Sequence, residues 1–131
     1  MSKTTFQNFA LLALRLTVAA IFLFAAYAKL SLWSAPPAKM GVTMLETLRI
    51  VSIIEPLGAL ALVFGLFTRY AAAALAAVMV GAIYILHFTM NVGFFTMPQK
   101  IGLDYNFLIL SSCLALMAYG AGAWSADAKQ G

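Results

Sequence analysis

The chain has 131 residues, of which 64% are hydrophobic and 9% charged, with a net charge of +4. A soluble domain of this size carries roughly a quarter charged residues, so the composition describes one integral membrane domain over residues 1–131. The positive charge is spread without a basic run, which argues against a nucleic-acid partner.

The single cysteine, Cys113, excludes an internal disulfide, a CxxC redox pair and a cysteine-rich metal site. It sits in an apolar stretch, so a buried, unreactive thiol is expected.

A polar lead-in with Lys3 precedes the first span, residues 9–32. About 24 apolar residues at about 1.5 Å each are enough to cross a hydrocarbon core of about 30 Å. Within it Arg15 and Lys29 bracket the run Leu16 to Ala28, 14 residues apart. That spacing is about 21 Å along a helix axis and within roughly 40° around it. One helix face therefore carries a cation near each end. Such charges are costly against lipid and should meet other helices or snorkel to headgroups. Ala26-Tyr27-Ala28 has the form of a signal-peptide cleavage site, but the segment is long for a leader and Arg15 lies deep within it, so a retained span is expected. Trp33 suits the interface, and Ser34-Ala35-Pro36-Pro37 stops the helix.

In residues 39–49, Met40, Met44, Leu45 and Leu48 recur at helical spacing, with Glu46 and Arg49 on another side. A short interfacial amphipathic helix is expected, or else an extended start to the second span. The second span is placed at 51–67. Glu55-Pro56 falls near its start, where proline is tolerated and a carboxylate suits the positive dipole end. Gly58, Ala59, Ala61 and Gly65 form a small-residue face. Thr68 and Arg69 make a tight turn, and the third span follows over 70–87. Its Ala73, Ala77 and Gly81 stand four apart, a row suited to close helix packing. A loop rich in aromatics and methionine, 88–103, is expected at headgroup level. The fourth span is 104–118, and a small polar tail completes the chain.

The expected fold is thus all-α: an integral membrane antiparallel four-helix bundle with both termini on one side. Antiparallel bookkeeping places Lys29, Glu55, His87 and Asp104 at one end. Arg15, Arg69 and Asp127 fall at the other. Both groups mix signs, as charges near hydrocarbon must if they stay ionised. Each residue has a plainer alternative. Lys29 would snorkel, Arg15 and Arg69 would anchor on lipid phosphates, Glu55 would sit in a structural ion pair, and His87 would be a hydrogen-bonded interface residue. One histidine and two carboxylates without close spacing do not argue for a metal. No nucleophile–base pair, Gly-rich phosphate loop or haem-ligating histidine pair stands out.

The stretch LRLTVAAIFLFAAYAKL, residues 14–30, resembles the first helix of DoxX-type membrane proteins, with Arg near its start and Lys near its end. Glu55 and Gly65-Leu66-Phe67-Thr68-Arg69 match that family's early Glu and its "G-L-x-T-R" turn. His87, Gly93-Phe94-Phe95, Gly102 and Tyr105 match further positions, with Asp104 where Glu is usual. Gly120, Gly122, Ser125 and Asp127 represent a "G-P-G-x-x-S-x-D" tail, with Ala121 in place of Pro.

The resemblance implies a four-helix membrane bundle. It also points towards redox systems, because relatives include a subunit of a thiosulfate:quinone oxidoreductase and partners of membrane oxidoreductase complexes. The expectation is a subunit or partner of such a complex, without an intrinsic cofactor, whose cleft accepts quinone or lipid. Glu55 and His87 are then the candidate catalytic residues, and Lys29, Glu55, His87 and Asp104 the candidate ligand-binding set. Arg15, Arg69 and Asp127 form the second polar cluster. Expected partners are membrane lipid, quinone, and a protein partner or second copy. The alternative is a non-catalytic scaffold, assembly factor or lipid-binding module. A solute transporter fits less well, for want of an inverted repeat or a broken mid-membrane helix. The expected location is a bacterial inner membrane with cytoplasmic termini, although Lys and Arg counts tie between the two sides and the positive-inside rule does not decide.

Overall fold

A computed structural model describes residues 3–28 and 42–127. Four α-helices follow in order: α1 Lys3–Ala28, α2 Val42–Phe64, α3 Thr68–Tyr84 and α4 Asp104–Tyr119. A π-helical turn, Ile85–Thr89, continues α3. Segments within α1, within α2, and from α3 through the π turn are long and apolar enough to cross a membrane; α4 is a shorter apolar helix. The expectations for Lys29, Trp33, the Pro36-Pro37 stop and Met40 lie outside the described residues.

Helix α1 packs on α2, α2 on α3, α3 on α4, and α4 back on α1. Their shared core takes Phe22 from α1, Leu62 from α2, Leu75 from α3, and Cys113 and Leu116 from α4. Cys113 is fully buried, so its thiol is packed among apolar side chains. The outward surface is apolar as well. Phe24 is 74% exposed, Leu57 65% and Leu108 68%. Water would disfavour so continuous an apolar surface, whereas acyl chains would not.

Three features differ from the sequence reading. Residues 42–49 do not form a separate interfacial helix; they run without a break into the second span as α2. The Arg49–Glu46 ion pair, at 3.2 Å, spans three residues along this continuous helix. Pro56 consequently lies inside α2 rather than near its start. It removes the N–H that would have bonded the Ser52 carbonyl. In the preceding turn the Ser52 hydroxyl donates to the Arg49 carbonyl at 2.6 Å.

The second difference is the turn between α2 and α3, which is Gly65 to Phe67 rather than Thr68-Arg69. Leu66 N–H bonds the Ala61 carbonyl at 2.9 Å and Gly65 N–H the Leu62 carbonyl at 3.2 Å. This is the two-bond C-terminal closure in which a left-handed residue stops a helix. Gly65 has φ +67°, and a Cβ there would collide with Arg15 Nη1 and Ser125 Cβ. Glycine thus supplies both the angle and the room. Thr68 then opens α3.

The third difference concerns α3. Its buried side is Ala71, Ala72, Leu75, Ala76 and Met79. Ala77 and Gly81, expected to pack closely, are exposed, and nothing lies within 4 Å of where a Gly81 Cβ would be. The small-residue face of α2 does pack: Gly58 and Ala59 are buried, with Gly58 against Leu75.

Candidate functional site

Glu55 sits midway along α2 and is only 2% exposed. It borders a cleft of about 460 Å³ between α2 and α3. Val51 and Ile54 of α2 face Ala77, Val78 and Gly81 of α3 across it, with Ile85 of the π turn at one edge. The missing side chain of Gly81 is part of why the space exists. Small residues, which can draw helices together, here leave a gap unfilled. The cleft is therefore an apolar slot with one carboxylate in its wall.

Two other members of the first predicted group, His87 and Asp104, do not line this cleft. His87 is on the exposed π turn, its Nδ1 3.4 Å from the Val92 carbonyl oxygen, where it donates when Nδ1 carries the proton. Its ring stands edge-on to Phe88, with centroids 4.8 Å apart. Asp104 opens α4, and its carboxylate is taken up locally. It accepts from Thr96 N at 3.0 Å, from the Thr96 hydroxyl, and from Tyr105 N at 2.8 Å. Thr96 Oγ1 in turn accepts from Gly102 N at 3.0 Å. Gly102 is needed here because a Cβ would strike the Phe94 and Phe95 backbone. Asp104 thus ties the 90–103 loop to α4. Lys29 lies outside the described residues.

The second group is drawn together at the α2–α3 turn. Arg15 is 1% exposed and donates from Nη1 to the Ala121 carbonyl and from Nη2 to the Trp124 carbonyl, each at 3.2 Å. Asp127 accepts from Phe67 N at 2.6 Å and Thr68 N at 2.9 Å, which caps α3. Its own N–H donates to the Gly65 carbonyl at 2.9 Å. Burial alone would raise the Asp127 pKa, but the Thr68 and Phe67 hydrogen bonds and the Arg15 charge together leave it below the usual carboxylate value. The guanidinium of Arg69 runs beside Gly120. Asn8 Oδ1 accepts from Ala123 N at 3.0 Å, tying α1 to the tail a second time. Arg15 Nε and Thr68 Oγ1 are buried here without a hydrogen-bond partner.

Sequence reasoning missed the tail carbonyls of Ala121 and Trp124, because a backbone acceptor carries no residue-type signal. It missed Thr96 for want of any pattern around it. Gly81 was noticed but given the opposite role. Among the described residues, no three of His, Cys, Asp and Glu are grouped to hold a metal ion.

Helices suited to an apolar solvent, a buried charge network closing one end and a lateral apolar cleft with a carboxylate define a helical membrane protein. The family model described as DoxX matches residues 10–88. That is more than half of the chain, and the protein belongs to the DoxX family. No curated protein and no solved structure matches it.

Proposed function

We propose that the chain is a quinone-linked subunit of a membrane redox complex, built as an antiparallel four-helix bundle in a bacterial inner membrane with cytoplasmic termini. The observation that carries this reading is the α2–α3 cleft. Its volume, about 460 Å³, lies in the range that accepts a small organic ring, and Glu55 is the ionisable group in its wall. An ionisable residue within a membrane-spanning helix is a functional-site candidate by default. Facing a quinone headgroup, Glu55 takes or gives the proton that accompanies reduction or oxidation at the ring oxygen. His87, two residues beyond the cleft-lining Ile85, passes that proton towards the headgroup layer. Lys29 belongs to the same proposed set, whereas the Asp104 carboxylate is engaged by Thr96 and Tyr105. Electrons come from a cofactor bound to the partner subunit.

A second reading is a non-catalytic scaffold, and one observation favours it. Arg15, Asp127 and Asp104 all have partners within the chain, as residues that set helix register would. Two variants separate the readings. Gly81→Leu fills open space and should leave assembly intact while weakening decylubiquinone binding at least tenfold. Glu55→Gln should keep the binding and lose the coupled proton uptake. Unchanged binding in Gly81→Leu together with unchanged coupling in Glu55→Gln rules out the quinone reading. Failure of Glu55→Gln and Lys29→Met to assemble, with recovery in the double variant, establishes the scaffold.

A further inference from the structure

The two arginines of the second cluster end differently. Arg15 is consumed inside, its fork on two tail carbonyls and its charge answered by Asp127. Arg69 is exposed, and among the described residues it makes no hydrogen bond or ion pair. Arg15, Asp127 and Arg69 together carry one net positive charge, and that surplus sits at Arg69.

Arg69 borders a cavity of about 370 Å³ separate from the Glu55 cleft, with Thr68, Tyr70, Tyr119, Gly120 and Asp127 in its wall. Gly120 lies where a Cβ would stand 3.3 Å from Arg69 Nε, so glycine leaves the guanidinium room. Tyr70 is 78% and Tyr119 74% exposed, which leaves both free to turn their hydroxyls towards a ligand. The hydroxyl of Thr68, fully buried in the same wall, lacks a hydrogen-bond partner.

We propose that this cavity binds a phosphate group, with Arg69 as its cation. A guanidinium fork matches two phosphate oxygens at once, and Tyr70 and Tyr119 bring hydroxyl donors to the same wall. The position suits it. Arg69 is the second residue of an apolar helix that is long enough to span, so it stands where a bilayer keeps its phosphates. Tyrosines concentrate at that depth. The Asp127 carboxylate caps the α3 N-terminus and the Arg15 charge offsets its own, so the net positive charge of the cluster stays at Arg69. The shared chemistry is the phosphate itself, carried either by a lipid headgroup or by free phosphate.

The test uses the full chain, delipidated in neutral maltoside micelles. Phosphatidylglycerol, inorganic phosphate and a diacylglycerol with the same acyl chains are titrated separately, and the shift in thermal unfolding gives the affinity. The expected result is binding of phosphatidylglycerol that weakens about tenfold in Arg69→Gln and less in Arg69→Lys, as for loss of a charge-assisted pair. Binding of inorganic phosphate with the same Arg69 dependence also supports the site and identifies free phosphate as a ligand. Equal affinity in wild type and Arg69→Gln, equal binding of diacylglycerol, or binding of neither phosphate compound overturns it. The Arg69 side chain is exposed, so its variants should fold, and none of these outcomes depends on quinone.

Discussion

Arg15 and Trp124 stand 109 residues apart in the chain and 3.2 Å apart in space, with Arg15 Nη2 donating to the Trp124 carbonyl. A second bond from Nη1 to the Ala121 carbonyl makes the guanidinium a clasp between α1 and the segment that follows α4. A cation this deeply buried is tolerable because two carbonyls and a nearby carboxylate answer it.

Removing that clasp should be costly. Arg15→Met leaves two carbonyls and Asp127 without their cation, and breaking such an arrangement costs about 3–5 kcal/mol. Unfolding in mixed micelles should show a loss of that order. Arg15→Lys keeps the charge but cannot fork, and should fall between the two. A wild-type unfolding curve for Arg15→Met would mean the tail contacts carry little weight.

Three of the helices were readable from sequence because an apolar run of spanning length rarely suits anything but a helix in lipid; α4, expected as a fourth span, is shorter. The common end of Arg15, Arg69 and Asp127 was readable from counting along neighbouring helices. Depth, however, does not fix direction around an axis. A shared height could not tell that Arg15 turns inward to backbone carbonyls while Arg69 turns out, or that Asp104 is taken by Thr96. Pro56 misled because proline usually marks a helix start, whereas α2 begins 14 residues earlier, at Val42. The row Ala77–Gly81 misled for a related reason: small side chains permit close approach but do not compel it.

Stability should fall in acid through Asp127. Its folded pKa lies below the unfolded value of about 3.9. The contribution is therefore present above that value and is lost as pH falls through the depressed folded value. Asp127→Asn should flatten this acid limb. It should also remove about 1 kcal/mol near neutral pH, as for a lost N-terminal cap. An acid limb identical in Asp127→Asn would assign the effect to other carboxylates.

Gly65→Ala should destabilise through two effects at once. The left-handed backbone costs a residue with a Cβ roughly 1–2 kcal/mol, and the new methyl meets Arg15 Nη1 and Ser125 Cβ. The total should exceed the backbone cost alone. Paired with Arg15→Met, the two losses should add to less than their sum, because one cause of strain has been removed. Strict additivity would place Gly65 and Arg15 in separate stability units.

Thr96→Val probes the opposite end. The hydroxyl of Thr96 donates to Asp104 and accepts from Gly102 N, so valine removes both bonds while keeping the shape. Each such bond contributes about 1 kcal/mol net, and more where a carboxylate is the acceptor. Leu103 N still bonds the Gly93 carbonyl at 3.0 Å and Asp104 N the Phe94 carbonyl at 2.7 Å, so the loop should loosen locally rather than detach. Amide exchange at Gly102 and Thr96 should therefore accelerate at least tenfold, while the core amides around Cys113 keep their protection. If exchange rises throughout α4 instead, Asp104 and Thr96 anchor the whole helix, and the loop is part of its folding unit.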